Sequence, residues 1–76
     1  MNMKKRQIHA RLIERGSNFR QWALANGFEP RTVTQVVSRY AGRDVLPRGR
    51  LSYQILRRLS TDLGREVVAG VLRDVA

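Results

Sequence analysis

Apolar residues recur at intervals of three and four positions along most of this chain, which is the spacing of one face of an α-helix. The pattern predicts helices over about residues 6–15, over a second segment that ends at Gly27, over 30–40 and over about 50–63. A last helix is predicted over 65–75, where β-branched residues leave a short strand as an alternative. The sequence therefore predicts an all-α fold, a compact domain of four to five helices.

Glycine, proline and small polar residues stand where these helices should begin and end. Gly16 is a C-terminal cap for the first helix, and Ser17 or Asn18 caps the second. Pro30 suits the first position of the third helix, where its missing N–H costs nothing. The Gly- and Pro-containing stretch 41–49 is expected to be a loop. The side chains expected on the inward faces are Ile8, Leu12, Ile13, Phe19, Trp22, Ala23, Val33, Val36, Val37, Tyr40, Leu51, Ile55, Leu56, Leu59 and Leu63.

The second and third helices carry the spacing that a DNA-binding helix-turn-helix needs. Ala23 stands four residues before Gly27, and Val33 and Val36 follow that glycine by six and nine residues. A small residue lets the helices approach, glycine takes a left-handed turn, and branched side chains hold the second helix in place. An ordinary helical hairpin remains the alternative interpretation of this spacing.

The outward face of the third helix carries donors and acceptors that suit base edges. Arg31 is expected to bind guanine, Gln35 adenine, and Thr34 either a thymine methyl group or a phosphate. Thr32 and Ser38 lie at the margins of this face, where contact with phosphate is expected. If the helix enters the major groove, its N-terminal half meets the bases.

The charge balance strengthens the nucleic-acid interpretation. Fifteen lysines and arginines oppose six acids, giving a formal net charge of +9, and arginine offers a planar fork for phosphate and guanine. The basic start, Lys4, Lys5 and Arg6, is expected to fray. The residues expected to contact the DNA backbone are Asn18, Arg20, Thr32, Ser38, Arg39, Arg43, Arg48 and Arg50.

Other chemistries find little support in the composition. There is no cysteine and one histidine, His9, so no metal site is predicted, and the acids form no arrangement that indicates catalysis. We expect a non-enzyme without a cofactor or a small-molecule ligand. No apolar run approaches a membrane span, and no signal-peptide core is evident, so a cytoplasmic location is expected, on the nucleoid when bound to DNA.

Seventy-six residues predict a single domain over 1–76, with its core over about 6–63. The segment 65–75 leaves the oligomeric state open. Its apolar residues either close the core of one subunit or form a self-complementary patch between two copies, and a homodimer is slightly favoured. The candidate dimer-interface residues are Val67, Val68, Val71, Leu72 and Val75.

Residues 7–59 resemble the small helix-turn-helix regulators of temperate phages and prophages. A basic helix is followed by FRQWALANGFEPRTVTQVVSRY, by the loop sequence LPRGR and by a helix rich in Leu and Ile. The chain resembles the Ner-like repressors of Mu-like phages, whose GF/Y-x-P-x-T pattern is matched by Phe28, Pro30 and Thr32. It also resembles the broader lambda-repressor-like class, including autorepressors encoded beside anti-CRISPR genes.

This resemblance implies a lambda-repressor-like fold and a transcription factor that binds an operator and blocks polymerase. The base-reading positions of the family fall on Pro30, Arg31, Thr34 and Gln35, of which Pro30 has no polar side chain to offer. The tail after Gly64 has no counterpart. Two alternatives remain open: a DNA-bending or recombination accessory protein similar to excisionases, and an adaptor whose basic face meets an acidic protein.

Overall fold

Four α-helices surround one apolar core in this computed structural model, which describes residues 3–43, 47–68 and 70–71. They are α1 (Lys5–Glu14), α2 (Phe19–Ala25), α3 (Pro30–Tyr40) and α4 (Arg50–Leu63). The described residues contain no strand, so the prediction of an all-helical domain is confirmed. None of the four helices is both long enough and apolar enough to cross a membrane.

The helix ends follow the capping residues closely. Asn18 caps α2, because its side-chain oxygen accepts a hydrogen bond from the backbone N–H of Gln21 at 2.8 Å. Pro30 occupies the first turn of α3, as predicted. Gly64 ends α4 with a φ of 73°, in the left-handed region that glycine adopts without steric cost.

The core draws on every helix and on both flanking segments. Trp22 and Ala23 of α2 are buried as predicted, whereas Tyr40 and Leu63 are half-buried at its edge. Phe19 is also half-buried, and its ring stacks on that of His9 with centroids 5.5 Å apart. The buried apolar side chains are Met3, Ile8, Leu12, Trp22, Ala23, Val33, Val36, Val37, Ile55, Leu56, Leu59, Val67, Val68 and Val71.

Two residues expected in the core are exposed instead. Ile13 is 56% exposed and Leu51 is 51% exposed. At about 100° per residue, Ile13 lies roughly 120° around α1 from the line through Ile8 and Leu12. Leu51 is displaced by a similar angle from the centre of the buried face of α4, which is formed by Ile55, Leu56, Leu59 and Ser60. Both helices therefore bury a narrower face than the apolar pattern suggested.

The predicted last helix is wrong for the residues that the structure describes. Residues 65–68 and 70–71 form no helix but bends, turns and irregular backbone, and part of this backbone bonds to other elements. The N–H of Val67 donates to the hydroxyl of Ser60 at 3.0 Å, and the carbonyl of Val67 accepts from the N–H of Gly42 at 2.9 Å. The segment is thereby held against α4 and the loop after α3.

This arrangement also corrects the predicted dimer interface. Val67, Val68 and Val71 are 0% exposed in a single chain, so they close the subunit's own core and offer no surface to a second copy. The other two candidates, Leu72 and Val75, lie outside the described residues.

The basic start is held in place at its first described residues, contrary to the expected fraying. Met3 is only 3% exposed and joins the core. The backbone N–H of Lys4 donates to Oε1 of Gln7 at 2.9 Å, which ties the residue before α1 to its first turn. The apolar anchor at Met3 carries no periodic signal, and this is why the pattern missed it.

A buried tryptophan connects α2 to α4. Nε1 of Trp22 donates to Oδ2 of Asp62 at 2.8 Å, and Trp22 is only 6% exposed. Nearby, Nε of Arg58 donates to Oδ1 of Asn26 at 2.9 Å, and Asn26 donates to the carbonyl of Trp22. These bonds fix the end of α2 against α4 on the side away from α3's outward face.

Candidate nucleic-acid interface

The hairpin of α2 and α3 is closed by a tight turn. Gly27 has a φ of 78°, and the N–H of Phe28 donates to the carbonyl of Ala23 at 2.8 Å. Ala23 is 0% exposed, and the ring of Phe28 stacks on Trp22 with centroids 5.8 Å apart. The predicted roles of Ala23 and Gly27 as the close-approach and turn residues agree with this geometry.

Three valines hold α3 against the rest of the molecule. Val33 and Val37 are 0% exposed and Val36 is 7% exposed. At about 100° per residue, Arg31, Gln35 and Ser38 lie within roughly 35° of the direction opposite these valines. All three are exposed. The polar stripe formed by Arg31, Gln35 and Ser38 is therefore presented outward by a helix whose rotation is fixed by packing.

Thr34 lies on one flank of this stripe and is half-buried. Its hydroxyl donates to the carbonyl of Pro30 at 3.1 Å, within the helix. The hydroxyl proton is thus already used, whereas the oxygen lone pairs and the methyl group remain for a ligand. Of the predicted base-reading set, Arg31 and Gln35 retain their full donor capacity and Thr34 does not.

The start of α2 contributes a neighbouring polar group. The side-chain oxygen of Asn18 caps α2, which leaves its NH₂ group to donate outward. Arg20, two residues later, is exposed. Both residues thus lie at an N-terminal end of a helix, where N–H donors and the helix dipole favour an anion.

The start of α4 lies against the opposite flank of the stripe. A shallow groove of about 190 Å³ is lined by α3 residues and by Ser52 of α4. Arg48 and Arg50 precede Ser52 closely and are exposed. The groove residues are Thr32, Gln35, Val36, Arg39, Tyr40 and Ser52. Sequence reasoning placed Arg48 and Arg50 around the loop after α3, and the structure brings the start of α4 beside Gln35.

The arginines of the described residues differ in whether their guanidinium groups are engaged within the chain, and those of Arg6, Arg11 and Arg65 bond to no other described residue. On the far side, Arg15 donates to the carbonyl of Asp62, Arg57 to Tyr53 and Arg58 to Asn26. Around the stripe, no hydrogen bond to another described residue engages the guanidinium groups of Arg20, Arg31, Arg39, Arg48 and Arg50. Arg43 is also exposed, and its backbone N–H donates to the carbonyl of Tyr40 at 3.0 Å. The guanidinium groups of Arg31 and Arg39, on α3 itself, are therefore available for a ligand.

One contact at the stripe was missed by sequence reasoning. Nζ of Lys5 donates to Oγ of Ser38 at 2.8 Å, across 33 positions of the chain. Only the basic character of residues 4–6 hinted at a role, because nothing local indicates that the start of α1 reaches the end of α3.

Among residues 3–43, 47–68 and 70–71, no three side chains of His, Cys, Asp or Glu come together as metal ligands. The carboxylate of Asp62 accepts a hydrogen bond from Trp22.

Comparisons of the chain with protein-family models, with curated proteins and with solved structures found no match.

Proposed function

We propose that this protein binds double-stranded DNA sequence-specifically, with α2 and α3 acting as a helix-turn-helix and α3 lying in the major groove. One observation carries the proposal. The valine face of α3 is packed into the core, while the stripe of Arg31, Gln35 and Ser38 faces outward among exposed, unengaged arginines. A polyanionic duplex binds exposed cations of this kind, and the polar side chains between them suit base edges.

Base readout falls to the N-terminal half of α3. Arg31 donates its guanidinium fork to O6 and N7 of guanine, and Gln35 pairs with N6 and N7 of adenine. Thr34 contributes chiefly its methyl group, which fits the methyl of thymine, since its hydroxyl proton is engaged by Pro30. The three residues are thus assigned to bases, with Arg31 and Gln35 carrying most of the discrimination.

Backbone contacts come from both sides of α3. Asn18 and Arg20 approach one strand at the start of α2, and Arg48 and Arg50 approach the other at the start of α4. The remaining backbone contacts are assigned to Thr32, Ser38, Arg39 and Arg43. These contacts set the orientation of the protein on the duplex and contribute salt-dependent affinity without reading sequence.

The biological role that fits this binding mode is transcriptional regulation. The resemblance of residues 7–59 to phage and prophage regulators supports a lambda-repressor-like arrangement and a repressor that covers an operator. A cytoplasmic protein bound to the nucleoid, acting without a cofactor, is the corresponding proposal for the cell. A homodimer through Val67, Val68 and Val71 is not part of it, because these side chains are buried in one subunit.

Selection from a pool of random duplexes at about 0.15 M salt, with sequencing of the retained DNA, tests the proposal. A recovered motif supports it, and the symmetry of the motif reports how many copies bind. Retention without a motif would contradict sequence-specific binding and favour an architectural protein that bends DNA. No retention would favour the adaptor alternative, in which the basic face meets an acidic protein.

A further inference from the structure

The chain segment before α1 packs across the end of α3. Met3 is buried, and Lys4 lies so close to Gly42 that a Cβ atom added there would stand 3.2 Å from Cγ of Lys4. The next residue, Lys5, donates from Nζ to Oγ of Ser38. The two lysines are therefore held at the C-terminal end of α3, one at Ser38 and one at Gly42.

Ser38 belongs to the outward stripe of α3. It follows Arg31 by seven residues, which is about 10 Å along a helix that rises 1.5 Å per residue. With Arg31 over the bases, Ser38 and the lysine bonded to it lie about two turns away, beyond the N-terminal half of α3 that meets the bases and toward the edge of the groove. A cation at this edge meets the sugar-phosphate chain rather than the bases.

The chemistry of Lys5 suits this position. An ammonium group has three donors, and the bond to Ser38 uses one, which leaves two for phosphate oxygens. Because the side chain is already held by Ser38, ordering it on a phosphate costs less entropy than ordering a free lysine. Both Lys4 and Lys5 are exposed.

We infer that Lys4 and Lys5 form an additional phosphate-binding surface at the end of α3, with the sugar-phosphate backbone of duplex DNA as its ligand. The inference rests on the proposed DNA binding and adds contacts from an element outside the α2–α3 hairpin. These contacts are independent of base sequence, so they act equally on a selected site and on random DNA.

The test uses the full chain and compares the salt dependence of binding for three variants. Lys5→Gln removes the charge, Lys5→Arg keeps it, and Arg11→Gln removes an exposed charge from the same helix, about 120° around from Lys5. Affinity for the selected duplex and for a random duplex is measured by fluorescence anisotropy over a series of salt concentrations. Circular dichroism checks that each variant is folded.

For Lys5→Gln we expect the slope of log K against log salt to fall by about 0.9 on both duplexes, the value for one lost phosphate contact. Lys5→Arg and Arg11→Gln should retain the native slope. Adding Lys4→Gln to Lys5→Gln should double the loss, to about 1.8.

Two outcomes would overturn the inference, and they are distinguishable. If Lys5→Gln keeps the native salt slope while Arg31→Ala still weakens binding to the selected site, the phosphate-binding surface of Lys4 and Lys5 is wrong. The proposed DNA binding then stands. If the native chain binds neither duplex, the proposed function itself fails and the inference falls with it.

Discussion

Arg31 and Gln35 are the two side chains on which the proposed base readout depends. They point away from the buried valines of α3, and both are exposed. Thr34 is half-buried, and its hydroxyl donates to the carbonyl of Pro30. It therefore discriminates between bases less strongly. The proposed base readout therefore depends on three side chains: Arg31 and Gln35, which form hydrogen bonds, and Thr34, which offers a methyl group.

Arg31→Ala and Gln35→Ala should each lower affinity for the selected duplex by about 1–3 kcal/mol and leave affinity for random duplex nearly unchanged, because each removes a bidentate base contact. Matched controls are Arg11→Ala and Gln54→Ala, which truncate exposed residues away from the stripe. Competition binding with both duplexes measures the difference. Equal losses on the two duplexes would contradict the assignment of α3 as the base-reading helix.

Asn18 has two tasks that a pair of substitutions separates. Asn18→Ser and Asn18→Asp both keep a side-chain cap for α2, so the free energy of unfolding in urea should stay within about 0.5 kcal/mol of the native value. The aspartate places a negative charge near a phosphate, which should weaken binding to any duplex by about 1 kcal/mol. Equal affinity of the two variants would show that Asn18 is a cap and not a backbone contact.

At the scale of elements, the hairpin of α2 and α3 depends on one backbone conformation. Gly27 turns the chain with a φ of 78°, and the following N–H bonds back to Ala23. No atom lies within 4 Å of a Cβ built at Gly27, so space does not exclude a side chain there. The requirement for glycine is conformational, and it sets the angle at which α3 leaves α2.

Gly27→Ala should therefore lower the free energy of unfolding by about 1–2 kcal/mol, which is the cost of a left-handed backbone for a residue with a Cβ. Gly27→Asn should lose less, because asparagine tolerates this conformation. Urea denaturation of the two variants measures the difference. A loss for asparagine as large as that for alanine would indicate a steric rather than a conformational requirement.

At the scale of the whole molecule, the segment after α4 completes the core. Val67, Val68 and Val71 are all 0% exposed, and Val67 bonds both to Ser60 and to Gly42. Lys4, near the other end of the described chain, also lies beside Gly42. The two ends of the described chain therefore converge beside the end of α3. The position of α3 is thus supported by contacts that span nearly the full length of the described residues.

Val67→Ala should lower the free energy of unfolding by about 2–3 kcal/mol, because it removes two buried methyl groups and leaves a cavity. Ile13→Ala, at an exposed apolar residue, should change it little. Urea midpoints measured over a hundredfold range of protein concentration test whether Val67 packs in the core of a single subunit. A loss from Val67→Ala that appears only at high concentration would indicate that Val67 stabilises a dimer.

Local patterns were sufficient for the four helices of this fold, but they also predicted a helix over 65–75 that the described residues of that segment do not form. The ends of α2 and α3 follow from Asn18, Gly27 and Pro30, whose capping and turn preferences act within a few residues. The outward placement of Arg31 and Gln35 follows from the helical period, once Val33 and Val37 are assigned to the core. Local patterns failed at Ile13 and Leu51, because the width of a buried face depends on the partner that covers it.

The sequence by itself determined four helices, their ends and the polar stripe of α3, since capping, turn geometry and helical periodicity are properties of neighbouring residues. Only the tertiary structure decided that the valines after Gly64 close one subunit's core, because their backbone bonds to Ser60 and Gly42 join distant parts of the chain. It also decided that Lys5 lies at Ser38. That contact spans 33 positions and arises from packing, which no local pattern encodes.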